Sequence, residues 1–240
     1  MHSRRGNLGK WLSASGGNQT GRRSALLVVL CLCIFVSGSA GCASFRTSTV
    51  QSENRRPGKV FLMRGLFNVF SLGLDTLALR LQANDIDARV CSYGSWSVLA
   101  PYIIYLRKVE GDTEPIIFLG HSTGVDDLVW VAKRLEEEGI EVDLLVSLED
   151  FLSPKVPRNV KRVFNIHKRP SHLLVEPPKP GNSGEVEFIE YDLADHKDIF
   201  PDLWSIDHLD IEEHEAVHEV IMEEICRVLA IASEERLATP

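Results

Sequence analysis

Between Ile116 and Leu135 the chain reads Ile-Ile-Phe-Leu, then Gly-His-Ser-Thr-Gly, then Val-Asp-Asp-Leu-Val-Trp-Val-Ala-Lys-Arg-Leu. The first run is too short for a helix and is apolar at every position, as expected for a strand covered on both faces of a sheet. The last run carries apolar residues at helical spacing. Strand, tight turn and helix in immediate succession are the unit from which parallel sheets with crossover helices are assembled. The chain is therefore expected to belong to the α/β class.

The rest of the sequence repeats this alternation. Strands are expected at Val60–Met63, Ala88–Cys91, Ile116–Leu119, Val142–Ser147, Val160–Ile166 and Val186–Tyr191, with helices near Leu74–Gln82, Ser97–Arg107, Val125–Glu138 and Glu212–Ala232. This predicts a mostly parallel sheet of about six strands flanked by helices. Asp75 is placed to cap the first helix, and Gly139 stands where a helix often ends in a left-handed residue. The run Pro170–Ser183, rich in Pro and Gly, reads as a surface loop.

The first forty residues are of a different material. Residues 1–41 carry five basic side chains (Arg4, Arg5, Lys10, Arg22, Arg23) and no acidic one, and end in the apolar run Ala25–Val36 and the small residues Ser37–Gly41. A basic stretch, an apolar core of about 12 residues and a small-residue site form the pattern of an export signal, and the apolar part falls short of the roughly 20 residues of a membrane span. The sequence Ser39-Ala40-Gly41-Cys42 resembles a bacterial lipoprotein signal, which implies a lipid on Cys42 and a protein held at the membrane of the cell envelope. Ordinary cleavage and retention as an uncleaved anchor are the alternatives. Residues 42–57 are polar and aperiodic and read as a tether, leaving a domain over 58–235.

Charge follows the same division. The whole chain has a formal charge of -8; without residues 1–41, 21 basic side chains face 34 acidic ones and the charge becomes -13. Phosphate neutralisation of nucleic acid is excluded as its business, and a membrane attachment would have to come from lipid rather than from a basic patch. Of five cysteines, only Cys91 and Cys226 fall in the domain, where they could pair or remain buried thiols.

Gly120-His121-Ser122-Thr123-Gly124 is G-x-S-x-G in its strand–turn–helix context. There a serine is presented at the end of a sheet, beside a helix N-terminus whose field favours an oxyanion. On these residues the chain resembles the α/β-hydrolase family of lipases, esterases and thioesterases, over about residues 58–232. The resemblance implies a trimmed α/β-hydrolase fold lacking the first two family strands, with Val60–Met63 in the place of the third strand and Ile116–Leu119 in that of the fifth. It further implies Ser122 as nucleophile, His208 in the loop before the last helix as base, and backbone N–H groups of Leu66 and Thr123 as oxyanion donors. The acid commonly follows strand seven, where His167-Lys168-Arg169 offers no carboxylate. The variant position one strand earlier implies Asp150, with Glu149 beside it and Asp192 or Asp195 as reserves. Such a site hydrolyses a small-molecule carboxylic ester or thioester and needs neither cofactor nor metal.

Two other readings stay open. His214-Glu215-Ala216-Val217-His218 has the H-E-x-x-H spacing of zinc peptidases, with Glu215 as base, although no suitable third ligand follows. The fold could also serve a lipoprotein that binds a ligand or partner without catalysis.

Overall fold

The computed structural model describes residues 55–66, 68, 71–169, 178–181 and 186–238. Contacts divide the chain into Met1–Ala40 and Gly41–Pro240, and every described residue belongs to the second unit. The signal segment, Cys42 and residues 43–54 of the tether lie outside the described residues, as do Phe67, Val69 and Phe70.

Six strands form one sheet: β1 (Arg56–Met63), β2 (Ile86–Cys91), β3 (Ile116–His121), β4 (Leu144–Leu148), β6 (Arg162–His167) and β8 (Glu187–Asp192). Their order is β2-β1-β3-β4-β6-β8, and every pair is parallel. Among the described residues four α-helices accompany them: α1 (Gly73–Ala83), α2 (Trp96–Lys108), α3 (Gly124–Glu136) and α4 (Glu215–Ala238). The expected strands and helices all form, with ends displaced by a few residues.

Alternation along the strands builds two cores. On one face Val60, Leu62, Ile117, Leu119, Leu144 and Val146 pack with Leu74, Leu77 and Leu81 of α1 and Val217, Ile221 and Ile225 of α4. On the other, Phe61, Met63, Phe118 and Leu145 pack with Leu99 and Ile103 of α2 and Leu128, Val131 and Leu135 of α3. A strand apolar at every position is what a sheet with helices on both faces requires. Burying each such side chain contributes about 1.5–3 kcal/mol relative to leaving it in water. The outer strand β8 is only partly covered, and its charged residues Glu187 and Glu190 blunt the sheet edge.

Four local expectations differ from the structure. Arg56 and Pro57, expected in the tether, begin β1: Arg56 pairs with Ile86 across a register shift that lets the chain pass Pro57 without a ladder donor. Within the expected loop Pro170–Ser183, Lys179–Pro180 (β7) pairs with Lys155–Val156 (β5) in a short parallel ladder. Asp75 does not cap α1; it lies in the first turn and accepts hydrogen bonds from the Arg64 guanidinium. His167 is no loop residue but the buried end of β6. Gly139, by contrast, has the left-handed φ of 67° expected after α3. Cys91 and Cys226 are both free thiols, and burial pushes the Cys91 thiol up to about 12.

Because all six strands run the same way, the segments after β1, β3, β4 and β6 emerge at one edge of the sheet. Gly65, Leu66, Ser71, Ser122, Glu149–Asp150 and Lys168 are thereby delivered to one place from distant parts of the chain.

Candidate active site

Ser122 sits in the turn between β3 and α3 with φ 55°, a left-handed conformation that costs a non-glycine residue roughly 1 kcal/mol or more. The turn closes through Val125 N–H to Ser122 O at 3.0 Å, and Ser122 N–H donates to Leu148 O at 3.0 Å. Its flanking glycines are demanded by close approach. A Cβ on Gly120 would lie 2.7 Å from Val125 Cα, and one on Gly124 would lie 2.4 Å from Met63 O. The two glycines thus let α3 begin directly against β3 and the end of β1.

His208 reaches this turn from the loop before α4. Its Nε2 lies 3.1 Å from Ser122 Oγ, and its Nδ1 lies 3.2 Å from Glu149 Oε2. Glu149 is buried, and its other oxygen accepts the Lys168 N–H at 2.9 Å. The Lys168 ammonium donates to Ile206 O, two residues before His208. The segment after β6 therefore contributes no carboxylate; it steadies the carboxylate after β4 and the loop of His208. A serine hydroxyl bonded to an imidazole whose far nitrogen meets a buried carboxylate can pass a proton from oxygen to nitrogen, with the resulting imidazolium stabilised from behind.

The structure reverses the preference between the two neighbouring acids. Asp150 is fully buried, but its Oδ1 accepts the N–H groups of Phe151 at 2.6 Å and Leu152 at 3.3 Å, and its Oδ2 has no hydrogen-bond partner. Burial, and secondarily the charge of Asp126, push its carboxyl up to about 7. The physical reason is the backbone of Glu149, whose φ of 48° turns successive side chains apart in a way that residue order does not reveal. Asp192 is also elsewhere: its Oδ1 accepts the N–H groups of Ala194 and Arg169.

Leu66 and Thr123, the two expected oxyanion donors, are bonded to one another. The Leu66 N–H donates to Thr123 Oγ1 at 2.9 Å, so the first expected oxyanion donor is engaged by the side chain of the second. Thr123 is the N-cap of α3, so its own N–H belongs to the first-turn donors that have no acceptor within the helix. A cavity of about 210 Å³ opens over these groups, lined by Gly65, Leu66, Ser71, His121, Ser122, His208 and Leu209.

The H-E-x-x-H residues do not share a helical face. His214 precedes α4 with extended backbone, and its Nε2 lies 3.5 Å from Asp202 Oδ1. His218 is buried and its Nε2 donates to Glu212 O at 2.7 Å. Two imidazoles held by different partners, one of them off the helix, do not converge on a common ion.

Neither a family model nor a curated protein sequence matches the chain. Solved structures do. The type II thioesterase BorB from the borrelidin biosynthetic cluster is similar with a TM-score of 0.50 at 11% identity, over 76% of this chain and 98% of that one. Est1E from Butyrivibrio proteoclasticus has a TM-score of 0.48 at 11% identity, over 75% of this chain and 91% of its own. Aspergillus fumigatus lipase B has a TM-score of 0.43 at 13% identity; the matched part is 64% of this chain but only 47% of the lipase.

Proposed function

From the α/β-hydrolase fold, in a trimmed six-stranded form, we propose that this protein is a serine hydrolase that cleaves a carboxylic ester or thioester through an acyl-enzyme. The observation that carries the reading is the continuous path Ser122 Oγ, His208 Nε2, His208 Nδ1, Glu149 Oε2, with links of 3.1 and 3.2 Å, at a serine held with φ 55° against a helix N-terminus.

In this mechanism Ser122 Oγ attacks the carbonyl carbon while its proton passes to His208 Nε2, and Glu149 stabilises the imidazolium. The oxyanion forms beside the N-terminus of α3, where the Thr123 N–H and the helix field meet it. Leu66 N–H joins as second donor by exchanging its bond to Thr123 Oγ1 for one to the oxyanion. His208 then returns the proton to the departing alcohol or thiol, and water, activated by the same imidazole, releases the acid. Leu66 and Leu209 line the cavity, and the ring of Phe151 lies 6.2 Å from that of His208, so an apolar acyl group suits the site better than a charged one.

A fluorophosphonate probe with intact-mass readout tests the assignment. One covalent adduct is expected on the native protein and none on Ser122→Ala; an unlabelled native protein, or an adduct persisting in the variant, would overturn it.

The reading places this enzyme in the cell envelope, tethered by a lipid on Cys42. No helix among the described residues is long and apolar enough to cross a membrane. Metabolic labelling with an alkyne fatty acid is expected to mark the full chain but not Cys42→Ser; equal labelling of both would overturn the lipid anchor.

A further inference from the structure

The second residue of the Gly-His-Ser-Thr-Gly turn has no part in the proton path, yet it is among the most tightly held side chains in the site. His121 is only 1% exposed, and both ring nitrogens are engaged: Nδ1 lies 2.9 Å from Ser71 Oγ and Nε2 lies 2.9 Å from the carbonyl oxygen of His208. A carbonyl can only accept, so Nε2 carries the proton and Nδ1 is the bare nitrogen. Ser71 must then donate its hydroxyl hydrogen to Nδ1, which leaves its oxygen to accept, and the Gly65 N–H lies 3.1 Å away to fill it. The whole chain has one consistent direction: Gly65 N–H to Ser71 Oγ, Ser71 O–H to His121 Nδ1, His121 Nε2–H to His208 O.

Each end of this chain belongs to a different arm of the site. Gly65 precedes Leu66 in the loop after β1, and its Cα stands so close to the turn that a Cβ there would lie 3.2 Å from Ser122 Cβ. His208 O belongs to the backbone of the base itself. The His121 ring also lies under the His208 ring, with centroids 5.0 Å apart and planes 37° from parallel.

We propose that His121 is a positioning residue: as a neutral imidazole protonated on Nε2, it fixes the backbone of His208 to Ser71 and, through it, to Gly65, and so sets the height of the base above Ser122. The proposal rests on the serine hydrolase reading of that site. Glu149 orients the His208 ring from its Nδ1 side; His121 holds the main chain from which the ring hangs. Two constraints on one imidazole leave it little freedom to drift from the serine, and a drift of about 1 Å can cost on the order of 100-fold in rate. Burial, and then the proximity of His208, hold the His121 imidazolium down to about 3, so the required neutral form persists. A neutral neighbour also leaves the His208 imidazolium formed during the reaction free of repulsion from a second cation.

Three substitutions separate positioning from mere packing. His121→Phe keeps a ring and removes both hydrogen bonds, His121→Gln restores a donor near the Nε2 position, and Ser71→Ala removes the link to Gly65. Among variants whose thermal melts show them folded, His121→Phe is expected to lower the rate of fluorophosphonate labelling and kcat about 10- to 100-fold with KM within about twofold of native. His121→Gln is expected to recover a large part of the loss, and Ser71→Ala to show a smaller loss of the same kind. Native rates in His121→Phe, or no recovery in His121→Gln, would overturn the proposal.

A second measurement does not depend on activity. ¹⁵N NMR of the native protein is expected to show His121 as the Nε2–H tautomer, unchanged between about pH 5 and 9; the other tautomer, or titration within that range, defeats the proposal even if a substitution prevents folding. Absence of labelling in native protein would defeat the hydrolase reading instead, and the tautomer measurement would still decide the role of His121.

Discussion

Glu149 Oε2 lies 3.2 Å from His208 Nδ1, while Asp150, the next residue, directs one oxygen to its own loop amides and leaves the other buried without a partner. Conservative substitutions should therefore separate the two acids. Glu149→Gln keeps the shape but loses the charge behind the imidazole, and kcat on p-nitrophenyl butyrate is expected to fall by about 10³ to 10⁴. Asp150→Asn retains the Oδ1 acceptor for Phe151 and Leu152 and is expected to stay within about fivefold of native activity, because the hydrogen bonds of its side chain go to its own loop and not to His208 or Ser122. The opposite ranking in steady-state kinetics would return the role to Asp150.

Asp150 should instead govern how stability depends on pH. Its carboxyl is raised from the usual 3.8 to about 7, by burial first and by Asp126 second, and that of Glu212 from 4.5 to about 8, by burial first and by Glu213 second. A carboxyl raised on folding holds its proton longer in the native state than in the unfolded chain. Its contribution is thus complete below about pH 4 and is lost as pH rises through 7 and 8. Thermal melts are expected to show native protein losing stability between pH 5 and 8.5. Asp150→Asn should flatten part of that slope, with a Tm a few degrees above native at pH 8.5 and no gain at pH 4.

The turn itself can be tested through Gly124. Because a Cβ there would meet Met63 O at 2.4 Å and Arg64 O at 2.8 Å, Gly124→Ala must push α3 away from the end of β1 or distort the loop that follows it. A loss of about 1–3 kcal/mol in urea unfolding is expected, accompanied by a larger proportional loss in labelling of Ser122 than in fold content by circular dichroism.

Acyl preference offers a further check. With Leu209 in the cavity wall and Phe151 6.2 Å from the His208 ring, each added methylene from acetate to butyrate should find apolar cover. At about 0.8 kcal/mol per buried methylene, kcat/KM is expected to rise about two- to fourfold per carbon, and Leu209→Asn should shrink that increment. A flat chain-length series in native protein would place the acyl group elsewhere.

Much of this organisation is local and therefore readable from the chain. The apolar strand Ile116–Leu119, the glycines around Ser122 and the amphipathic Val125–Leu135 each depend on near neighbours in sequence, so strand, turn and helix could be placed by pattern. The place of His208, in the loop before the last helix, came from the resemblance to the α/β-hydrolase family. The roles of Glu149 and His121 could not be read in this way. Residue order does not say that the backbone of Glu149 adopts φ 48°, and periodicity does not say that Ser71 and a main-chain carbonyl 87 positions after His121 will close around its imidazole.

Pattern along the chain carries the class of the fold, the strands and helices of its sheet layer, and the serine at the end of a buried strand, because propensity, period and tight-turn chemistry act over a few residues. Which carboxylate faces His208, how Lys168 supports it and how His121 ties two loops together follow from tertiary contacts alone. Those choices depend on distances of about 3 Å between groups 19 to 87 residues apart, and such distances exist only once a parallel sheet has carried all the loops to the same edge.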